Sequence, residues 1–257
     1  MHNPAMNASP PEYLTRADGV RIAFRYVKGT DGKQGRPTLV FLPGYMSDMQ
    51  GSKAQALEAW AIKNRRSILR LDYSGCGESD GDFADGTFTA WRDDVLYAVH
   101  MILRDGPVIL VGSSMGGWVM LMVARILGNA VKGMIGIAAA PDFTRWGFSE
   151  EEKLIIRTGG VLMNENPYGP EPTPTYRTLF EDGEHNLQLT DEIPVDCPVR
   201  LLHGQCDKDV PWDISVQLAA KLRSSDVQVN LVKDGDHRLS RPSDIALLLD
   251  TVSQMPG

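Results

Sequence analysis

Ser114 stands in Gly112-Ser113-Ser114-Met115-Gly116, which fits the pattern Gly-x-Ser-x-Gly. The uncharged β-branched run at 108–111 leads into this pentapeptide, and a helical pattern at 115–127 leaves it. A serine at such a strand-to-helix turn sits on a sharp bend. Its neighbours must be small, because a side chain there would collide with the turn. The hydroxyl is then presented at the C-terminal edge of a sheet, where a helix N-terminus favours negative charge. That is the setting of a nucleophile. A phosphate loop is the competing reading of the glycines, but no Gly-Lys-Ser/Thr follows them.

A serine hydroxyl needs a base. The chain has five histidines. His2 lies in an opening arm, His100 inside a helical pattern and His185 in a later proline-rich stretch. His203 closes a strand in Leu202-His203-Gly204 and reads as a packed turn residue. His237, in Asp236-His237-Arg238, follows the last expected strand and precedes the last helix. It therefore falls at the same sheet edge as Ser114 and is the expected base. The base in turn needs a carboxylate to hold its tautomer. Asp207 follows the strand expected at 199–202 and is the expected acid. Asp209, two residues on, and Asp142, after the preceding strand, are the alternatives. Acyl transfer also requires donors for an oxyanion. The Met115 N–H, next to the nucleophile, and the Tyr45 N–H, in the turn Leu42-Pro43-Gly44-Tyr45-Met46, are the candidates. Met46, Trp118 and Met163 are candidate walls of an apolar pocket, since thioethers adapt to acyl chains.

Other motifs carry less. In Asp72-Tyr73-Ser74-Gly75-Cys76-Gly77 the third glycine of a dinucleotide fingerprint is missing, because Asp80 stands there. The segment reads as a structural turn. Cys76, Cys197 and Cys206 make an odd set without Cys-x-x-Cys spacing, so neither a disulfide framework nor a zinc site is expected. No metal and no cofactor is called for.

These groups must be positioned by alternating elements. Strands are expected at 22–27, 38–42, 67–71, 108–111, 131–138, 199–202 and 227–232. Helices are expected at 54–63, 91–103, 115–127, 214–222 and 245–252. The alternation implies an α/β fold with a doubly wound, mostly parallel sheet. It fails at 142–194, which carries Pro167, Pro170, Pro172 and Pro174 and a charged helix pattern at 150–157. This segment is too long for an ordinary connection. It reads as a lid inserted after the sixth core strand, with 1–141 and 195–257 forming the core. Leu154, Ile155, Ile156, Leu162, Tyr168, Leu179 and Phe180 argue against disorder, since they need a place to pack.

Composition narrows the setting. The chain has 257 residues and a formal net charge of −7, with 42% hydrophobic and 23% charged residues. That is ordinary globular usage, long enough for one large core. The acidic balance argues against nucleic acid and against a polybasic membrane patch. Residues 106–124 are uncharged over about the length of a membrane span, but Gly112, Ser113, Ser114, Gly116 and Gly117 interrupt them. No membrane span is expected. The opening residues, Met1 to Pro11, hold no Lys, no Arg and no apolar run. Neither a secretory signal nor an Arg-rich transit peptide is read there, and with the cysteine usage this points to a cytoplasmic protein.

The segments Phe41-Leu42-Pro43-Gly44-Tyr45, Asp72-Tyr73-Ser74-Gly75, Val111-Gly112-Ser113-Ser114-Met115-Gly116-Gly117-Trp118, Leu201-Leu202-His203-Gly204, Val210-Pro211-Trp212 and Asp236-His237-Arg238 together resemble the α/β-hydrolase superfamily. Within it they are similar to the family of mitochondrial palmitoyl-protein thioesterases and acyl-glucuronide esterases. The resemblance runs from Ile22 to Val252. It implies a serine hydrolase of carboxylic esters or acyl thioesters, with Ser114, Asp207 and His237 as triad. The implied partner is a small-molecule ester or thioester, or an acylated protein, and the enzyme would be a monomer or homodimer. The alternatives are a lactonase, peptidase or perhydrolase on the same scaffold, or a non-catalytic ligand-binding scaffold.

Overall fold

The structure is a computed structural model, and it describes residues 10–30, 32, 35–166 and 169–256. His2, Pro4, Pro167 and Tyr168 lie outside the described residues. Ten strands and eight α-helices are seen among the described residues. The strands are β1 Glu12–Thr15, β2 Arg21–Val27, β3 Thr38–Leu42, β4 Ile68–Leu71, β5 Val108–Ser113, β6 Val131–Ile137, β7 Val161–Asn164, β8 Thr173–Tyr176, β9 Val199–Gly204 and β10 Val227–Val232. The helices are α1 Ser52–Lys63, α2 Phe88–Ala98, α3 Met115–Leu127, α4 Phe143–Trp146, α5 Glu150–Gly159, α6 Arg177–His185, α7 Asp213–Lys221 and α8 Pro242–Ser253.

Eight strands form one sheet in the order β1-β2-β4-β3-β5-β6-β9-β10. From β4 to β10 every pairing is parallel, while β2 runs antiparallel to both β1 and β4. The expected doubly wound sheet is thus present. The apolar runs of β3 and β5 serve both faces, as a sheet covered on both sides requires. Val40, Leu42, Val108 and Leu110 join the core beneath α2, α3 and α7. Leu39, Phe41, Ile109 and Val111 join the core beneath α1 and α8. Within the core, β1 and the helix at 91–103 differ from the sequence expectation. β1, exposed along most of its length, was not anticipated because it buries too little to leave an alternating pattern. The helix expected at 91–103 starts earlier, at Phe88, where Thr87 caps it, and ends in a wider helical turn at Val99–Leu103.

The uncharged run at 106–124 becomes β5, a turn and most of α3. Among the described residues no helix is long and apolar enough to cross a membrane. Between β6 and β9 the chain leaves the sheet and forms α4, α5, the antiparallel pair β7–β8, and α6. Ile156, Leu162 and Phe180 make a small core of their own with Phe148. Leu179 joins the main core, whereas Leu154 and Ile155 stay exposed.

Candidate active site

Ser114 occupies the single-residue turn between β5 and α3, at φ 54° and ψ −122°. That is a strained conformation for a residue with a side chain, and such strain persists only where the surroundings impose it. They do so here by close backbone approach. A Cβ on Gly116 would collide with the carbonyl oxygens of Leu42 and Pro43, and one on Gly112 would meet the Gly116 backbone. The glycines of the pentapeptide therefore let α3 start hard against β3 and β5. The same crowding brings the turn after β3 beside the serine: a Cβ on Gly44 would lie 3.2 Å from the Ser114 Cβ.

Two further loops leave the same sheet edge. The loop after β9 carries Asp207 and the loop after β10 carries His237. They touch through bare backbone, since Gly204 and Gly235 leave no room for a Cβ, and Cys206 N–H donates to the Gly235 carbonyl at 2.9 Å. The result is a continuous chain of polar contacts. Ser114 Oγ lies 3.0 Å from His237 Nε2, and His237 Nδ1 lies 2.8 Å from Asp207 Oδ2. The His237 side chain is 16% exposed and that of Asp207 is fully enclosed. Burial by itself pushes the Asp207 carboxyl up. The donors from His203 and His237, with the Val210 N–H, outweigh it and hold the group well below the usual carboxylate range. It is an anion at any ordinary pH.

Of the alternatives to Asp207, Asp209 lies beside it and Asp142 is engaged elsewhere. Asp209 is exposed, and its N–H donates to Asp207 Oδ1 at 2.9 Å. Asp142 is buried at the neck of the 142–194 segment, where it accepts from Gln188 N–H at 2.7 Å and Leu189 N–H at 2.8 Å. It ties the departing strand to the returning chain. Of the other described histidines, His100 pairs with Asp105 on the surface and His185 ends α6.

Met115 is the first residue of α3, so its N–H is one of the helix-initial donors without an intrahelical acceptor. Tyr45 follows Gly44 in the adjacent loop. Its half-buried ring packs edge-on against Phe83 and Phe143, and its hydroxyl donates to the Pro174 carbonyl of β8 at 2.6 Å. Met46 is half exposed in the wall of a cleft of about 190 Å³. The cleft lies between residues 46–48 and the turn 75–77, with Phe83 alongside. Met163 is exposed on β7. Trp118 is fully buried, its indole N–H donating to the Asn186 carbonyl at 2.9 Å. It presents no surface to a ligand here and packs the inserted segment against α3 instead.

Several contributors to the site escaped the sequence reading. The Asp72-Tyr73 turn does more than reverse the chain. Asp72 accepts from Met49 N–H and Glu78 N–H at 2.7 and 2.9 Å, and the Tyr73 hydroxyl donates to the Pro43 carbonyl at 3.1 Å. Of these three, the bonds to Met49 N–H and to the Pro43 carbonyl hold the loop that carries Tyr45. Lys53 donates to the Arg238 carbonyl at 2.6 Å and so pins the histidine loop. His203 reaches Asp207. The only local signals were the placement of Asp72 at a strand end and the four-residue spacing of His203 and Asp207. Cys76 is no rival nucleophile, because burial pushes its thiol up to about 12.

A parallel sheet with helices on both faces, and a serine on a strand-to-helix turn within reach of a histidine, define a class. The chain belongs to the alpha/beta hydrolase family, whose model matches residues 39–246. It is 39% identical over 247 residues to the human protein named palmitoyl-protein thioesterase ABHD10, mitochondrial, an alignment covering 95% of this chain and 79% of that one. The solved structure of the mouse alpha/beta hydrolase domain-containing protein 10 superposes with a TM-score of 0.85 at 38% identity, covering 95% of this chain and 96% of that one. A solved protein of Agrobacterium vitis S4 superposes with a TM-score of 0.89 at 36% identity, covering 96% and 98%. The curated relatives from human, orangutan and cattle are all named as mitochondrial. This overturns the cytoplasmic expectation drawn from residues 1–11. That expectation treated an address signal as if it were legible with the fold, whereas targeting segments are separable from the domain they deliver.

Proposed function

We propose that this chain is a serine hydrolase that cleaves carboxylic esters or acyl thioesters through a Ser114–His237–Asp207 triad and an acyl-enzyme intermediate. The observation that carries this reading is the unbroken contact chain of 3.0 and 2.8 Å from Ser114 Oγ through His237 to Asp207. His237 Nε2 takes the Ser114 proton as Oγ attacks the acyl carbonyl carbon. Asp207 keeps the proton on Nδ1 and stabilises the imidazolium. The Met115 and Tyr45 N–H groups receive the oxyanion, a contribution of about 100- to 1000-fold per donor in comparable sites. His237 then protonates the leaving thiol or alcohol. A water attacks the acyl carbon with His237 taking its proton; the bond to Ser114 Oγ then breaks as His237 returns that proton to Oγ, and the carboxylic acid departs.

The name of the human and mouse relatives supports acyl thioesters as a substrate class. A small-molecule thioester or ester and an acylated protein both fit this chemistry. On this reading residues 142–194 act as a lid over the core formed by 1–141 and 195–257, with Met46 and Met163 assigned to the substrate pocket. Its contact with the oxyanion loop, Tyr45 to Pro174, supports this assignment.

A fluorophosphonate probe tests the reading. Wild type is expected to be labelled and Ser114→Ala to be blank; equal labelling of both would refute it. A panel of acyl thioesters, p-nitrophenyl esters and aminoacyl amides then separates thioesterase from esterase and peptidase.

A further inference from the structure

The strand-end histidine His203 is fully buried, and its ring contacts three groups. Nδ1 lies 2.7 Å from the Ser215 hydroxyl of α7. Nε2 lies 3.1 Å from Asp207 Oδ2 and 3.1 Å from the Val210 carbonyl. A carboxylate and a carbonyl can only accept, so Nε2 carries a proton in every tautomer that satisfies this arrangement. Asp207 Oδ2 therefore takes two imidazole donors, one from His203 and one from His237, while Oδ1 takes the Asp209 and Val210 N–H groups at 2.9 Å each. All four directions around the carboxylate are filled.

We propose that His203 is a positioning residue of the reaction: by donating Nε2–H to Asp207 it fixes the carboxylate and moderates the negative charge that Asp207 presents to His237. The inference rests on the triad reading above. Its physical content is a competition for one oxygen. A carboxylate oxygen that already accepts a strong donor is a weaker acceptor for a second. Remove His203 and the full charge of Asp207 falls on His237, whose protonated form is then favoured over the free base that activates Ser114. Ser215 completes the device by holding the ring edge-on to Asp207.

Other charges face the same place. The Asp209 carboxylate lies with Asp207 and His237 in one group of ligand atoms within 4.8 Å. Lys53 from α1 sits at the Arg238 carbonyl, where it senses Arg238, Asp236 and Asp244 of α8. The hydrogen bonds of the His203 ring go to Ser215, Asp207 and Val210 and to none of these groups, so a shift in the variants is read at the His203–Asp207 contact.

The test is the rate constant of fluorophosphonate inactivation measured against pH for wild type, His203→Leu, His203→Gln and Ser215→Ala, with Ser114→Ala as the blank and a thermal melt on each. In His203→Leu the acid limb is expected to move up by about half a pH unit or more, and the plateau rate to fall by roughly tenfold. His203→Gln, whose amide can donate toward Asp207, is expected to return the limb most of the way to wild type. A folded His203→Leu with the wild-type limb overturns the inference, as does a His203→Gln that shifts as far as His203→Leu. If His203→Leu does not fold, Ser215→Ala decides: a smaller shift in the same direction supports the inference and an unmoved limb overturns it. Labelling of Ser114→Ala would sink the triad reading itself; a blank Ser114→Ala with wild-type profiles in the folded His203 and Ser215 variants would sink only the role of His203.

Discussion

Asp207 and Asp209 are two residues apart, yet only one of them faces inward with its side chain fully enclosed and depressed by donors. Asp207→Asn has one oxygen: if it keeps the Asp209 and Val210 N–H groups, its amide NH2 faces the two imidazole donors, and it has no charge to balance an imidazolium. A loss in kcat of about a thousandfold or more is expected. Asp209→Asn, at an exposed position, should stay within about tenfold of wild type. Esterase kinetics on the two variants check both, and the reverse ranking would move the acid to Asp209. Lys53 makes a different prediction. Burial first, then the neighbouring Arg238, lowers its ammonium from the ordinary 10.5 to about 8. Between those values the unfolded chain holds a proton that the folded one has shed, so this group's contribution to stability rises with pH. Relative to Lys53→Met, the unfolding free energy of wild type should rise by about 1 kcal/mol from pH 7.5 to pH 10, an estimate discounted for residual solvation. Urea titrations at the two pH values measure it, and a flat difference would count against a buried Lys53.

The elements meet at the site through single residues. Tyr45 belongs to the loop after β3, but its hydroxyl is spent on β8 and its ring on Phe83 and Phe143. The loop that carries the proposed oxyanion donor is thus fastened to the β7–β8 hairpin. Tyr45→Phe keeps the backbone donor and the ring and leaves the buried Pro174 carbonyl unpaired. That costs about 1–2 kcal/mol, or a fall of several degrees in Tm for a chain of this size. KM should rise while kcat changes by no more than about threefold, since the chemistry at Ser114 is untouched. Initial-rate kinetics and a thermal melt test the split; an unchanged Tm with wild-type KM would remove the coupling between hairpin and loop. Helix boundaries at this scale were well foreshadowed by the sequence. The apolar pattern suffices for α3, α7 and α8: α3 is buried along its first ten residues, and α7 and α8 each bury one face. The hairpin β7–β8 was not foreshadowed, because its four-residue strands pack mostly on one another and on a small local core.

The whole molecule is one body built from a sheet and an excursion that leaves and returns at Asp142. Phe143 packs on Trp118 and Phe88 at centroid distances of 5.5 and 5.7 Å, and Asp182 accepts from the N–H and hydroxyl of Thr89 at 2.9 and 2.6 Å. The excursion and the core therefore share buried contacts and should unfold together. Near-UV and far-UV circular dichroism are expected to give coincident thermal transitions. Two separated transitions would mean that residues 142–194 are held only locally. The fold class, the serine between β5 and α3, the histidine after the last strand and the carboxylate after the strand before it were legible in the sequence as positions. Each rests on local information: a periodicity, a run of small residues forced by a tight turn, a strand end that topology must place at one edge. The support of the site was not legible. That Gly204 meets Gly235, that Tyr73 braces Pro43, that Lys53 pins Arg238 and that His203 shares an oxygen with His237 depends on approaches between segments distant along the chain. By itself the sequence determined the scaffold and the order Ser114, Asp207, His237. Only the tertiary structure decided which carboxylate and which donors meet, because a hydrogen bond is settled by tenths of an ångström that spacing along the chain does not encode.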